Sequence, residues 1–217
     1  MLEKSGITHE EQIRHVSHNQ FHYNLYNSGG IQMNNYVQVK ITDQDVERVE
    51  TLARKRDAKK VKFGAGRHGK LTDSSEQSHS YGLFGELAVA KYFNIELDNE
   101  IYDDHGDAGY DFIIAGLKAD VKTATHAAAY YEPWLKVPTQ TDKDKAKLEK
   151  ADIFIACFYH EANNVVYIQG WADKELVKSK EPERIRNRRT GKYGPWNHMV
   201  RKKEFKNIQD LLLTHTK

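Results

Sequence analysis

Only one cysteine, Cys157, occurs in the 217 residues, which excludes an intramolecular disulfide. It sits in the apolar run 153–158 and reads as a small core residue, and nothing points to an oxidising compartment. No apolar stretch approaches the roughly 20 residues that cross a bilayer, and residues 1–6 lack the charged-then-apolar pattern of a signal peptide. The chain therefore reads as soluble and cytoplasmic, with no membrane partner. The formal charge is only +2, so the overall balance selects no class of partner. No internal repeat or heptad run is visible, and the eleven histidines show no zinc spacing with the lone cysteine.

What is present is a polar globular composition, 39% hydrophobic and 29% charged. The length suits one domain with extensions. Residues 1–35, rich in His and Asn, read as an N-terminal extension. Residues 36–217 read as a single domain, with a core over 82–178 and a basic segment over 178–206.

Residues 36–41 alternate and predict a strand. Thr42 then caps a helix carrying Val46, Val49, Leu52 and Ala53 at helical spacing. Residues 64–80, dominated by Gly and Ser, read as a long loop. A helix is expected from Gly82 to about Phe93, and strands over 111–114 and 117–123 with Ala115-Gly116 as the turn between them. Residues 143–150 read as a helix, 152–159 as a buried strand, 161–164 as a turn, 165–170 as a strand and 173–178 as a short helix. The order from 82 to 178 is thus helix, strand, strand, helix, strand, strand, helix.

The hairpin carries the chemistry. A two-residue turn at Ala115-Gly116 pairs Ile114 with Leu117, and counting outward sets Asp111 opposite Asp120. Opposed residues share a face with Cβ atoms about 5 Å apart, and period two adds Lys122 to that face. Two like charges so placed cost stability unless a cation lies between them. Mg²⁺, or Mn²⁺ in its place, takes such carboxylates together with water and phosphate. Metal-assisted phosphodiester hydrolysis also gains from an ammonium near the developing charge. Asp111 and Asp120 read as metal ligands and Lys122 as the group that positions water or stabilises charge. Glu86, on the preceding helix, reads as a further ligand or a base.

The ordered set Gly85-Glu86-Leu87-Ala88, Gly109-Tyr110-Asp111-Phe112 and Asp120-Val121-Lys122-Thr123 resembles the PD-(D/E)XK nuclease superfamily over roughly residues 82–170. Tyr110 stands where the family's motif often has proline. The resemblance implies an α/β fold with a restriction-endonuclease-like core, a mixed central sheet flanked by helices, here with N- and C-terminal extensions. It implies catalytic roles for Asp111, Asp120, Lys122 and Glu86. The expected activity is Mg²⁺-dependent hydrolysis of DNA by a small endonuclease of phage or restriction type. The alternative is a nuclease-like fold that binds nucleic acid without cutting it.

Several segments bear on partners. Residues 178–206 concentrate Lys and Arg, among them Arg186, Arg188, Arg189 and Lys192, which supply sequence-independent phosphate affinity. Of the aromatics within this segment, Trp196 is expected in the core. Gly64-Ala65-Gly66-Arg67-His68-Gly69 matches a dinucleotide fingerprint, but no helix is expected after it. It reads instead as a basic flap that brings Arg67 and Lys70 to DNA, double-stranded by expectation. The acidic stretch 103–107 lacks EF-hand spacing and reads as a turn-rich loop. Cutting both strands with one site per chain calls for a homodimer, to which Leu211-Leu212-Leu213 is a candidate contributor.

Overall fold

The structure, a computed structural model, describes residues 36–62, 75–99, 109–125, 133–186 and 191–213. The elements in order are β1 (Val37–Lys40), α1 (Asp43–Lys62), α2 (Ser75–Phe93), β2 (Phe112–Ile114), β3 (Leu117–Ala124), β4 (Trp134–Pro138), α3 (Asp142–Lys150), β5 (Ile153–His160), β6 (Val165–Asp173), α4 (Lys174–Lys178), β7 (Glu183–Arg186), β8 (Tyr193–Arg201) and α5 (Asp210–Leu213). The expected extension 1–35 and the acidic loop 103–107 lie outside the described residues.

Two sheets organise the molecule. The larger has the order β1-β6-β5-β3-β2 and is mixed: β3 and β5 run parallel and the other neighbours antiparallel. The smaller is antiparallel, β4-β8-β7. β5 is buried on both faces, as its unbroken apolar run requires. Ile153, Ile155, Cys157 and Tyr159 pack into one core with α1 and α2. Phe154 and Ala156 point the other way, into a second core with Leu135 and Val137 of β4, Val200 of β8, Leu148 of α3 and Val177 of α4. The molecule is thus mixed α/β, with helices flanking a mixed sheet. Among the described residues no helix is long and apolar enough to cross a membrane.

Local chemistry accounts for the element ends. Thr42 and Asp45 form a reciprocal cap on α1: Thr42 N–H donates to Asp45 Oδ2 at 2.7 Å, and Asp45 N–H to Thr42 Oγ1 at 3.3 Å. Thr141 and Asp144 do the same for α3. Asp45 also pairs with Lys91, tying α1 to α2.

Four readings need correction. Helix α2 begins at Ser75, within the stretch expected to be loop. Tyr81 there donates a 3.2 Å hydrogen bond to Glu161, and its ring centroid lies 5.9 Å from that of Tyr159. Such contacts override the weak helix propensity of serine. Strands β4, β7 and β8 were not expected. β4 and β8 carry Pro138 and Pro195, which read as breakers but are tolerated at strand ends and irregularities. Trp196 is not a core residue: 46% of it is exposed. Leu211, counted toward a dimer contact, is fully buried in the chain's own main core.

Candidate active site

The β2–β3 turn fixes the register of the site. Ala115 and Gly116 have φ of +50° and +80°, the left-handed pair of a type I′ turn. Ile114 therefore pairs with Leu117, Ile113 with Lys118 and Phe112 with Ala119. Asp111 is one step beyond the last pair, and the expected strand pairing of Asp111 with Asp120 does not form. Here the ladder gives way to a side-chain contact. Asp111 N–H donates to Ala119 O at 2.8 Å, while Asp111 Oδ2 accepts from Val121 N–H at 2.6 Å. β2 has ended, β3 continues to Ala124, and the Asp111 carboxylate occupies the place where a neighbouring strand would bond.

Alternation along β3 sends Ala119 and Val121 into the main core and Asp120 and Lys122 to the opposite face. Register confirms this: Asp120 is beside Phe154 and Lys122 beside Ala156, both members of the second core. Lys122 Nζ is 2.5 Å from Asp120 Oδ2. The contact is an ion pair without hydrogen-bond alignment, because the same oxygen is buried and has no hydrogen-bond partner. The Asp120 side chain is 6% exposed and that of Lys122 28%, so the ammonium reaches the surface and the carboxylate does not.

Glu86 approaches from α2. Leu83, Leu87 and Ala90 form the buried stripe of that helix, and Glu86 stands at the i+3 position of the same stripe. An acid there is 17% exposed and is only loosely compensated by Arg56 of α1, at 3.9 Å. Gly85 lets the helix come close. A Cβ on it would lie 1.9 Å from Thr123 Oγ1 and 3.3 Å from Val121 Cγ1, so α2 rests directly on the strand that carries Asp120 and Lys122.

Glu86 and Asp111 both feel the Asp120 charge. Burial, opposed by Arg56 and reinforced by the Asp120 charge, raises Glu86 from 4.5 to about 6. Burial, then the charges of Glu86 and Asp120, hold Asp111 well above the usual carboxylate range; the Val121 N–H and Lys122 oppose this. At Glu86 and Asp111 burial and the neighbouring carboxylates outweigh the Arg56 and Lys122 charges. Among the described residues, however, no three His, Cys, Asp or Glu side chains are already gathered as a metal cage. A cleft of about 480 Å³ lies elsewhere, lined by Glu50, Arg54, Tyr81, Phe84, Tyr159 and Asn164, and takes in none of the three acids.

No protein-family model, curated protein or solved structure matches the chain.

Of the expected phosphate-binding residues, Arg67, Lys70, Arg188 and Arg189 lie outside the described residues. Arg186 lies on β7 and donates to Gly191 O at 3.0 Å. Lys192 is exposed just before β8. Sequence reasoning missed Arg56 as the counter-ion of Glu86. Its signal was spacing: Val49, Leu52 and Arg56 fall on one helix stripe, so the basic run at the end of α1 turns one member inward.

Proposed function

We propose that the chain is a metal-dependent nuclease that hydrolyses DNA phosphodiester bonds as an endonuclease. The observation that carries this reading is that Glu86 and Asp111 are both buried and both raised by the Asp120 charge, where β2 stops and β3 runs on with Lys122 beside Asp120. The donor set fits a hard divalent cation, Mg²⁺ or Mn²⁺: all three groups offer carboxylate oxygens. Asp120 Oδ2 is buried without a hydrogen-bond partner, and two of the acids are held protonated more readily than usual.

Asp111 and Asp120 would hold the ion, with Glu86 as the third carboxylate; when bound, the ion supplies polarisation of the scissile phosphate and activation of water. The Val121 N–H fixes one oxygen of Asp111 and leaves the other for a ligand. Lys122, on the same face and partly exposed, is placed to orient the attacking water and to oppose charge developing on the phosphate. Arg56 limits the repulsion between Glu86 and the two aspartates. The order helix, hairpin with acid and D-x-K, helix, strand supports a restriction-endonuclease-like core, although β4 and the small sheet go beyond it.

A second reading is favoured by one observation. Lys122 Nζ is 2.5 Å from Asp120 Oδ2, so the ammonium itself neutralises that carboxylate, as suits a nuclease-like module that binds DNA without cutting it. The test is whether the purified protein nicks or linearises DNA with Mg²⁺ or Mn²⁺ and ceases to in EDTA. Salt-sensitive DNA binding with no cleavage under either ion favours the second reading.

A further inference from the structure

Strands β7 and β8 carry an exposed group of flat side chains. Arg184 pairs with Trp196 and Arg186 with Tyr193. Between these pairs β7 contributes one residue, Ile185, and β8 contributes two, Gly194 and Pro195, which is a β-bulge. Tyr193 and Trp196 are three apart and would normally point to opposite faces. The extra residue returns them to one face. The Arg184 guanidinium then lies between them, 5.3 Å from the Tyr193 ring centroid and 5.6 Å from that of Trp196. It is pinned there by a 2.9 Å bond from Nε to Gly194 O. Tyr193 is 58% exposed and Trp196 46%.

The group is aromatic and positively charged. Arg184 and Arg186 donate to backbone carbonyls, and among the described residues neither has a carboxylate partner. The nearby acids are engaged elsewhere, Glu183 with Arg201 at 3.5 Å and Glu204 with Lys180. Trp196 shares its face with His198 and Val200 by alternation, and Val200 belongs to the second core. Asp120 and Lys122 also face that core, through their partners Phe154 and Ala156. The aromatic group therefore lies on the face that the small sheet turns toward the strand face bearing the candidate site.

We propose that Tyr193, Arg184 and Trp196 form a stacking platform for unpaired bases of a DNA strand, so that the preferred substrate is DNA with a single-stranded or splayed segment. This inference rests on the nuclease reading for its link to cleavage, but the binding itself does not require a metal. Base stacking on aromatic and guanidinium planes is tolerant of sequence, and Arg186 adds phosphate affinity beside the platform. A duplex, whose bases are already stacked, gains only the electrostatic contribution.

The experiment is fluorescence anisotropy of the full chain in EDTA with a labelled oligothymidylate, a blunt duplex, and a duplex bearing an oligothymidylate arm. Trp196→Ala and Tyr193→Ala should each weaken oligothymidylate and armed-duplex binding by about tenfold, with blunt-duplex binding changed by less than about twofold. Trp196→Phe should retain most of the affinity. Unchanged binding of oligothymidylate, or equal weakening on all three probes, in variants that melt like the wild type overturns the platform. The nuclease reading fails separately. Selective binding with no cleavage in any metal removes that reading and leaves the platform, whereas cleavage without selective loss removes the platform alone.

Discussion

Asp111 Oδ2 accepts a 2.6 Å hydrogen bond from the backbone N–H of Val121, so a single carboxylate both closes the open edge of β3 and enters the acid cluster. These two roles separate under substitution. Asp111→Asn keeps an oxygen for Val121 and removes a charge that burial disfavours. Without metal, at neutral pH, it should raise stability by about 1–2 kcal/mol while abolishing cleavage. Asp111→Ala removes the acceptor as well and should cost about 1–3 kcal/mol relative to Asp111→Asn. Urea denaturation in EDTA compares the two.

The cluster sets a pH dependence of defined sign. Glu86 is raised from 4.5 to about 6, and Asp111 is raised in the same direction. Between these pH values the folded state binds more protons than the unfolded one, so stability falls as pH rises through the window. For Glu86 the loss is on the order of 2 kcal/mol. In EDTA the melting temperature should decline from pH 4.5 to above 6. Glu86→Gln should flatten that decline, and Mg²⁺ should restore stability at the high end by binding the ionised acids. A profile that rises through the same window would contradict the burial of Glu86 and Asp111 beside the Asp120 charge.

Gly85 is where α2 meets β3, the strand that carries Asp120 and Lys122. The added methyl of Gly85→Ala would meet Thr123 Oγ1 at 1.9 Å and Thr123 Cβ at 3.2 Å, so Thr123 must give or α2 must lift. The expected cost is about 1–3 kcal/mol, together with reduced activity because Glu86 is the next residue. Thr123→Ala in the same chain should recover part of both, as measured by thermal melting and cleavage rate.

The turn offers the opposite test. Ala115 holds φ of +50°, a conformation that disfavours Cβ-bearing residues. Ala115→Gly or Ala115→Asn should stabilise the chain by roughly 0.5–1 kcal/mol without altering activity. A loss of stability on equilibrium denaturation would show that the turn is not of this type.

Much of this arrangement was legible in the sequence because period-two spacing and a two-residue turn leave one register. The pairing of Ile114 with Leu117 and of Phe112 with Ala119 follows from the turn at Ala115-Gly116, whereas the expected pairing of Asp111 with Asp120 gives way to bonds from Asp111 to Ala119 and Val121. The buried strand β5 announced itself as an apolar run. What escaped were features set by distant contacts. The helix runs on from Ser75 past Tyr81, which meets Tyr159 and Glu161, contacts that serine-rich sequence does not foretell. β8, within the segment read only as basic, contains Gly194-Pro195, which in the fold is the two-residue side of a bulge. Arg56 looked like one of several surface cations until the packing of α1 on α2 brought it to Glu86.

The central claim is metal-dependent cleavage at the cluster of Asp111, Asp120, Glu86 and Lys122, and Lys122→Ala tests it most directly. Wild type and variant are compared on supercoiled, linear, single-stranded and branched DNA with Mg²⁺, Mn²⁺ or EDTA, with DNA affinity measured in parallel. The expected result is cutting by the wild type that requires the metal, reduced by about a hundredfold or more in Lys122→Ala with DNA affinity retained. Full activity in the variant, or cutting that persists in EDTA, would contradict it.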